Sequence, residues 1–203
     1  KQFYYKVFET SCSEEFWNEW NAIAKPLYHS SEEKIFSSAQ FSYIPSYLRE
    51  SKNILAGSKE KVFNNIVQTS DIKGLIHSHS NWSDGSYPIE EMANELIKLG
   101  FEYLVVSDHS KSAGYANGLT EQRIRDQHRY IDDLNQKLSP FKIFKSIECD
   151  ILGDGALDYE NKILSTFDLV ITSIHSNLDM DEEKAMKRLI GAITNPYTTI
   201  LGH

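Results

Sequence analysis

Cysteine is nearly absent from this chain: two occur among 203 residues, Cys12 and Cys149, far apart and without zinc-knuckle spacing. Neither a disulfide framework nor a thiolate metal site is indicated. Long apolar runs are missing too. No segment approaches the roughly 18 to 20 consecutive apolar residues that a membrane span requires, and the N-terminus lacks the charged region, apolar stretch and small-residue cleavage site of a secretory signal. A cytoplasmic protein with no membrane partner is the expectation. Basic charge is in deficit, with 21 Lys and Arg against 29 Asp and Glu for a formal net charge of −8. That balance argues against a protein held to nucleic acid by a broad basic surface. It leaves a phosphate substrate open, because bound divalent ions would reverse the sign of the field at a site's mouth. What is present, 40% hydrophobic and 12% aromatic residues, suffices for a sizeable core in one large domain or one domain with an appendage.

Lys1 to Ser70 differ in character from the remainder. Lys1 to Thr10 is a short apolar and aromatic run that reads as a strand. Ser13 is placed as the N-cap of a helix with Phe16, Trp20, Ile23 and Ala24 on one face. Glu32 to Ala39 reads as a short helix, and Tyr43 to Glu50 as an extended segment enforced by Pro45. From Ile72 onward strand and helix patterns alternate. Pro88 opens a helix with the stripe Ile89, Met92, Ala93, Leu96 and Ile97, closed by Gly100. Thr120 caps a helix carrying Ile124, Ile131, Leu134 and Leu138, with Leu119 and Ile124 as a hydrophobic staple. A short helix follows around Tyr159 to Thr166. Asp181 begins another, with Ala185, Leu189, Ile190 and Ile193 as its buried stripe. Such alternation implies right-handed crossovers and a parallel sheet, an α/β fold.

Five apolar runs between these helices each end in residues that bind metal: Leu75 to His79, Tyr103 to His109, Phe144 to Asp150, Leu169 to His175 and Thr199 to His203. Five of the seven histidines sit at these ends. His77 and His79, two apart on a strand, share a face about 7 Å apart, so both imidazoles can approach one ion. By the same alternation His109 shares a face with Ser107, Glu148 with Ser146 and His175 with Ser173, small residues that leave room for an ion. In a barrel of parallel strands the C-terminal ends converge on one mouth. Packing explains a core histidine at any one of these positions, but not the whole set with Asp84 downstream of the first pair. The pattern therefore reads as one multinuclear metal site. Neutral imidazole and carboxylate suit zinc, manganese or iron. Cys149 turns to the face opposite Glu148 and reads as buried packing, and His128, mid-helix, is not a ligand. Trp82, Tyr87 and Tyr115 fall in loops at the mouth where bases could stack, although packing is the ordinary use of an aromatic side chain.

Taken in order, His77-Ser78-His79, Ser83-Asp84-Gly85, Ser107-Asp108-His109-Ser110, Glu148-Cys149-Asp150, Ser173-Ile174-His175-Ser176 and Gly202-His203 resemble the polymerase and histidinol phosphatase (PHP) domain. The resemblance runs from about Ile72 to the end of the chain. Asp108 to Ser112, Ala116 to Leu119, and Asp150 to Gly155 with Leu157-Asp158-Tyr159 are similar to the PHP domain at the C-terminus of bacterial family X DNA polymerases. Tyr43 to Glu50 resembles that family's connector, and Phe8-Glu9-Thr10-Ser11 with its helix the tail of the polymerase module. On this reading residues 1–70 are a polymerase-module remnant and a small α/β connector, and residues 71–203 a TIM-like (β/α)7 PHP barrel truncated after its fifth strand. The start at Lys1 without methionine agrees with a fragment.

The resemblance implies a site of two or three divalent ions. In the family pattern His77, His79 and Glu148 hold one metal, Glu148 bridges to a second held by His175 and His203, and Asp84 and His109 contribute to a third. It also implies phosphoester hydrolysis, with Glu148 and His175 as residues for catalysis. Lys111, by its place just past the second ligand run, is a third candidate, contacting a substrate phosphate, with an ordinary solvated loop lysine as the equal alternative. The expected substrate is a phosphoester, foremost a DNA 3′ end, and the expected partner a polymerase module in the full-length chain. A small-molecule phosphatase of the histidinol phosphatase type and a non-catalytic scaffold for a polymerase are the alternatives. The family barrel continues past the position of His203 to a final Asp-x-His that supplies two more ligands, so weak or partial metal occupancy is expected of this chain.

Overall fold

Each of the first four strand-like runs after Ile72 is followed by a helix that must bury its apolar side, and the computed structural model shows where those sides go. It describes residues 2–25, 28–50, 53–59 and 67–203, which fall into two compact units, Lys1–Gln68 and Thr69–His203.

In the second unit five parallel strands, β1 (Gly74–Ser78), β2 (Tyr103–Val106), β3 (Lys142–Asp150), β4 (Leu169–Ser173) and β5 (Ile200–Leu201), lie side by side in sequence order. They form a curled half-barrel. Helices α5 (Ile89–Lys98), α6 (Glu121–Lys137), α7 (Asn161–Leu164) and α8 (Glu182–Ile193) fill the connections. Ile89, Ala93 and Leu96 of α5 pack on Leu104 and Val106 of β2 together with Ile131 and Leu134 of α6. A second core joins Ile147 and Cys149 of β3 and Val170 of β4 to Leu119, Ile124, Leu164 and Ala192. Strands covered this way read as apolar runs rather than as alternating ones.

The helix boundaries follow local chemistry. Thr120 caps α6 by accepting from the Arg123 amide at 3.4 Å, and Leu119 and Ile124 meet in one cluster as a staple requires. Asp181 caps α8, accepting from the Lys184 amide at 2.9 Å. Gly100 follows α5 with φ +82°, the left-handed residue that ends a helix. The stripe expected for α8 needs correction: Ile190 and Ile193 are half exposed, and Arg188 and Ala192 are the buried residues of the helix. The inward face of α8 is rotated because Arg188 finds buried carbonyls to bond.

The first unit is helical: α1 (Gln2–Thr10), α2 (Glu14–Ile23), α3 (Glu32–Ser38) and α4 (Ile54–Lys59). A helix stands where a strand was expected over Lys1 to Thr10, and among the described residues of this unit no strand occurs, where an α/β connector was expected. Apolar residues at i, i+3 and i+7 (Tyr5, Phe8 and Cys12) form one helical face, and Phe8 packs edge-to-face on Phe16, Trp20 and Phe36. That packing outweighs the strand propensity of a short aromatic run. The segment expected to be extended over Tyr43 to Glu50 is so only as far as Pro45, after which Ser46–Leu48 make a 3₁₀ turn. The turn delivers Arg49 into the core, where it is fully buried. Its guanidinium bonds the Ile44 carbonyl at 2.8 Å, Ser11 Oγ and Glu32 Oε2 at 2.6 Å each, and lies over the rings of Phe8 and Phe36. Among the described residues no helix is long and apolar enough to cross a membrane.

His128 on α6 generates a prediction. Its ring stands edge-on to Phe167, and its Nε2 is buried without a hydrogen-bond partner. Burial, helped by Lys145, pushes the imidazole down to about 4 against the opposing pull of Asp132 and Asp168. An unfolded histidine titrates near about 6.5, so between these values the unfolded chain binds more protons. The stability His128 contributes is present above about pH 6.5 and is lost as pH falls through about 4. Thermal unfolding followed by circular dichroism should show the melting temperature falling across that window. His128→Phe should flatten the fall, leaving only the part due to carboxylates.

Candidate metal centre

Parallel strands in sequence order deliver all their C-terminal ends to one side, and there a single carboxylate collects five imidazoles. Glu148, 1% exposed near the end of β3, has Oε1 3.0 Å from His77 Nε2, 3.2 Å from His175 Nε2 and 3.1 Å from His203 Nε2. Its Oε2 lies 3.1 Å from His109 Nδ1 and 3.5 Å from His79 Nε2. Asp84 approaches the outer nitrogens of the same rings, 3.6 Å from His79 Nδ1 and 3.5 Å from His109 Nε2. Three groups result in which one ligand atom from each residue lies within 4.8 Å of the others: His77, His79 and Glu148; His79, Asp84 and His109; His109, Glu148 and His175. All seven residues expected as ligands are thus brought together. His203 reaches the shared oxygen from the shallowest position, with its side chain 68% exposed.

The route by which His77 arrives differs from plain strand alternation. The β1–β2 register shifts between Leu75 and Ser78, and His77 sits at φ +64°. An L-residue pays on the order of 1–2 kcal/mol for that region, and such strain persists where surrounding structure enforces it. The bulge turns His77 toward its partner, and the two rings lie 5.5 Å apart between centroids. His109 is placed beside Glu148 because the β2–β3 pairing continues past Val106, through the Glu148 amide to the Asp108 carbonyl at 3.0 Å and the Ser110 amide to the Glu148 carbonyl at 3.0 Å. Behind the ligands Ser107, Ser146 and Ser173 are all buried.

The protonation states suit ligation. Burial would raise the Glu148 carboxyl, but the Ser173 side chain and the imidazoles of His175, His77 and His109 outweigh it and hold the group below its ordinary value. Burial and the neighbouring His109 push the His79 imidazole down, favouring the neutral form that a metal requires. Asp150, two residues beyond Glu148, places Oδ1 2.6 Å from His175 Nδ1. That contact fixes the tautomer with Nδ1–H toward Asp150 and leaves Nε2 free at Glu148.

Two supporting residues, Asp150 and Arg188, escaped the sequence reading. Asp150 lay in a recognised motif without a role, although its two-residue offset from Glu148 puts both on one face. Arg188 is 1% exposed, and its guanidinium bonds the carbonyls of Ile151, Leu152, Ser176 and Asn177, tying together the chain just beyond Glu148 and just beyond His175. Its spacing within Ala185, Arg188, Leu189 and Ala192 was the available signal. Asp108, which strand alternation turns away from His109 and so behind the ligands rather than among them, has the supporting role that this position implies. Its buried carboxylate accepts from the Ser80 amide and hydroxyl at 2.7 Å each, Ser83 Oγ at 2.6 Å and Gln127 Nε2 at 2.7 Å, clamping the loop that presents Asp84. Gly85 completes that loop, since a Cβ there would stand 2.2 Å from the His79 carbonyl.

Other residues lie outside the cluster. Lys111 is exposed, with Nζ 5.1 Å from the centre of the Tyr159 ring. Cys149 is fully buried, its thiol pushed up to about 12 by burial. Trp82 packs between both cores of the unit. Tyr87 lines an apolar groove with Leu75 and Met92, and Tyr115 stands beside His109.

Parallel strands curling toward a histidine-rich, carboxylate-centred cavity at their C-terminal ends define an α/β protein with a polynuclear metal centre in prospect. The family model described as the PHP domain matches residues 76–199, and the chain belongs to that family. It is 40% identical over 173 residues to the DNA polymerase/3′-5′ exonuclease PolX of Bacillus subtilis (strain 168), covering 85% of this chain and 30% of that protein. It is 32% identical over 135 residues to a probable phosphatase of Thermoanaerobacter sp. (strain X514), covering 63% of this chain and 51% of that one. A probable phosphatase of Caldicellulosiruptor bescii is 30% identical over 135 residues, with 63% and 52% covered. The chain thus spans under a third of the polymerase and about half of each phosphatase.

The Asp108 clamp makes a prediction that needs no ligand. Hydrogen bonds to a charged group are worth about 1.5–3 kcal/mol each, and the loss is partly recovered by water. Asp108→Ala should lower stability by about 3 kcal/mol in urea unfolding. Hydrogen exchange should accelerate at the amides of Ser80, Ser83 and Gly85 while those of β3 stay protected.

Proposed function

We propose that this chain is the metal-dependent phosphoester hydrolase domain of a family X DNA polymerase-like protein, acting on DNA 3′ ends as a 3′–5′ exonuclease or end-processing activity. One observation carries the reading: five imidazoles from four strand ends surround one buried carboxylate at the end of β3, with polar atoms left unsatisfied among them. Glu148 Oε1, His79 Nδ1 and His109 Nδ1 are buried and lack hydrogen-bond partners. Buried polar atoms are rarely left this way, and orphaned atoms on residues that share candidate ligand groups fit cations among them.

His77, His79 and Glu148 would hold one divalent ion, Glu148, His175 and His203 a second, and Asp84 and His109 a third, each imidazole offering one ring nitrogen, these being zinc, manganese or iron. Such ions supply Lewis-acid charge at a phosphate and a water acidic enough to attack near neutral pH. The chain's own residues do the remaining work. Glu148, kept ionised, offers both oxygens to opposite sides of the cluster. Asp150 holds the His175 ring in one tautomer, and Asp108 keeps the Asp84 loop in place. Lys111 offers its charge to a phosphate entering over Tyr159.

The Bacillus relative's name joins polymerase and 3′-5′ exonuclease activities, which supports DNA ends as the substrate and a polymerase module as the partner. The identities to probable phosphatases support the second reading, a small-molecule phosphatase.

The test is hydrolysis by the full chain with added manganese, on 3′-labelled single-stranded DNA and on a small phosphate monoester. Trimming of the DNA is expected. Glu148→Ala should lose bound metal by elemental analysis and hydrolysis together, each by more than about 100-fold, beyond the 10–100-fold typical of residues that only orient ligands. Manganese retained at parental affinity in the folded variant would sink the site assignment. Turnover confined to the monoester would select the phosphatase, and metal bound without any hydrolysis a scaffold.

A further inference from the structure

Of the two mouth aromatics that enter neither core, Tyr87 and Tyr115, it is Tyr115 that stands beside a candidate ligand. Trp82 is spent on the two cores, and Tyr87 lies along the groove beside α5. Tyr115 is 76% exposed, yet its ring centroid lies 6.3 Å from that of His109, a member of two of the three candidate ligand groups.

The loop that carries it is held on every side. Ser112 donates its amide to Asp158 at 2.6 Å and its hydroxyl to the same carboxylate. The Lys111 amide bonds Tyr159 Oη at 2.9 Å. Ala113 and Ala116, flanking the Gly114–Ala116 turn, are buried. Arg123 bonds the Asn117 carbonyl at 2.7 Å. Gly118 closes the loop where a Cβ would stand 1.9 Å from the Ser110 carbonyl. A large apolar ring standing in water on a rigid frame, next to a polar cluster, gains nothing for the fold. Its flat face is open to a planar partner on a loop whose backbone is held, and an aromatic platform beside a phosphate-cleaving centre suits a ring attached to that phosphate.

We infer that Tyr115 is a specificity-determining residue that stacks on a nucleobase flanking the scissile phosphodiester, so that the centre takes base-bearing nucleic-acid ends. This rests on the phosphoesterase reading and narrows it. The face of the ring does the work, and its hydroxyl is dispensable. Stacking one base on an aromatic side chain is worth about 1–3 kcal/mol, or roughly 5- to 150-fold.

Two readouts test it, with the folds of all variants compared by circular dichroism. The first is binding of fluorescein-labelled oligo-dT, followed by anisotropy with calcium in place of manganese. The second is manganese-dependent kcat/KM on oligo-dT and on the same strand with abasic residues at its two 3′-terminal positions. Tyr115→Ala should weaken oligo-dT binding and lower kcat/KM on the base-bearing end, each by about 10-fold. Its effect on the abasic end should be less than about 2-fold, and Tyr115→Phe and Tyr115→Trp should match the parent throughout. Unchanged oligo-dT binding in Tyr115→Ala, an equal loss on both ends, or damage by Tyr115→Phe equal to that by Tyr115→Ala would each overturn the inference. If DNA is bound in a Tyr115-dependent way but never cleaved, the stacking stands and the exonuclease reading falls. If no oligonucleotide is bound, the stacking falls, while turnover of the phosphate monoester reports separately on the hydrolytic centre.

Discussion

A carboxylate removed from water and facing five imidazoles is the constraint around which the second unit is arranged. Burying an ionised carboxylate costs several kcal/mol even after relaxation, and Glu148 is almost wholly buried. What offsets the cost is convergence, because parallel pairing in sequence order brings the ends of β1 through β5 to one side. Each strand then contributes donors to the same volume, and neutral or charged imidazole is matched against one negative group. Antiparallel neighbours would send alternate ends to opposite sides and leave the carboxylate unmatched.

Convergence at this density needs side chains that do not themselves touch the centre. Asp108, Asp150 and Arg188 each close a gap between segments distant in sequence: the Asp84 loop and α6, β3 and His175, the ends of β3 and β4. Their polar atoms are met by backbone groups as much as by side chains. Such a network fixes position only when nearly every member is satisfied. Asp108 accepts four hydrogen bonds, while at the centre Glu148 Oε1 and the Nδ1 atoms of His79 and His109 are left open.

Much of this was legible because chemistry and period coincided. Five apolar runs ending in His or Glu announced the strands, their common polarity and the ligand set together, and the caps at Pro88, Thr120 and Asp181 marked the helices between them. The PHP resemblance rested on the same residues. What could not be read depended on long-range packing. The run Lys1 to Thr10 has strand-like composition, and only the aromatic faces of α2 and α3 make it a helix. Arg188 breaks an apolar stripe by charge, so its inward direction follows from carbonyls supplied by two other strand ends. The bulge at His77 is invisible to a period-two argument that nonetheless placed His77 and His79 together. The aromatics at the mouth showed a further limit, since sequence supplied their position in loops but not that Trp82 would pack while Tyr87 and Tyr115 stay exposed.

The ligands are not held equally, and that orders what each contributes. His109 and His175 have side chains only about a tenth exposed, and His77 and His79 about a quarter, so much of their rotamer freedom is already lost on folding. His203 follows the two-residue strand β5. Its carbonyl is anchored by the Ile174 amide at 2.7 Å and the preceding Gly202 amide by the Thr172 carbonyl at 2.8 Å, but its ring is mostly in water. Ordering such a side chain on binding costs about 0.5–1.5 kcal/mol, a cost the other four have largely met. The deeper rings therefore define the centre's geometry and the shallow one adjusts to it, since the backbone at His203 is fixed and the imidazole alone remains to be ordered.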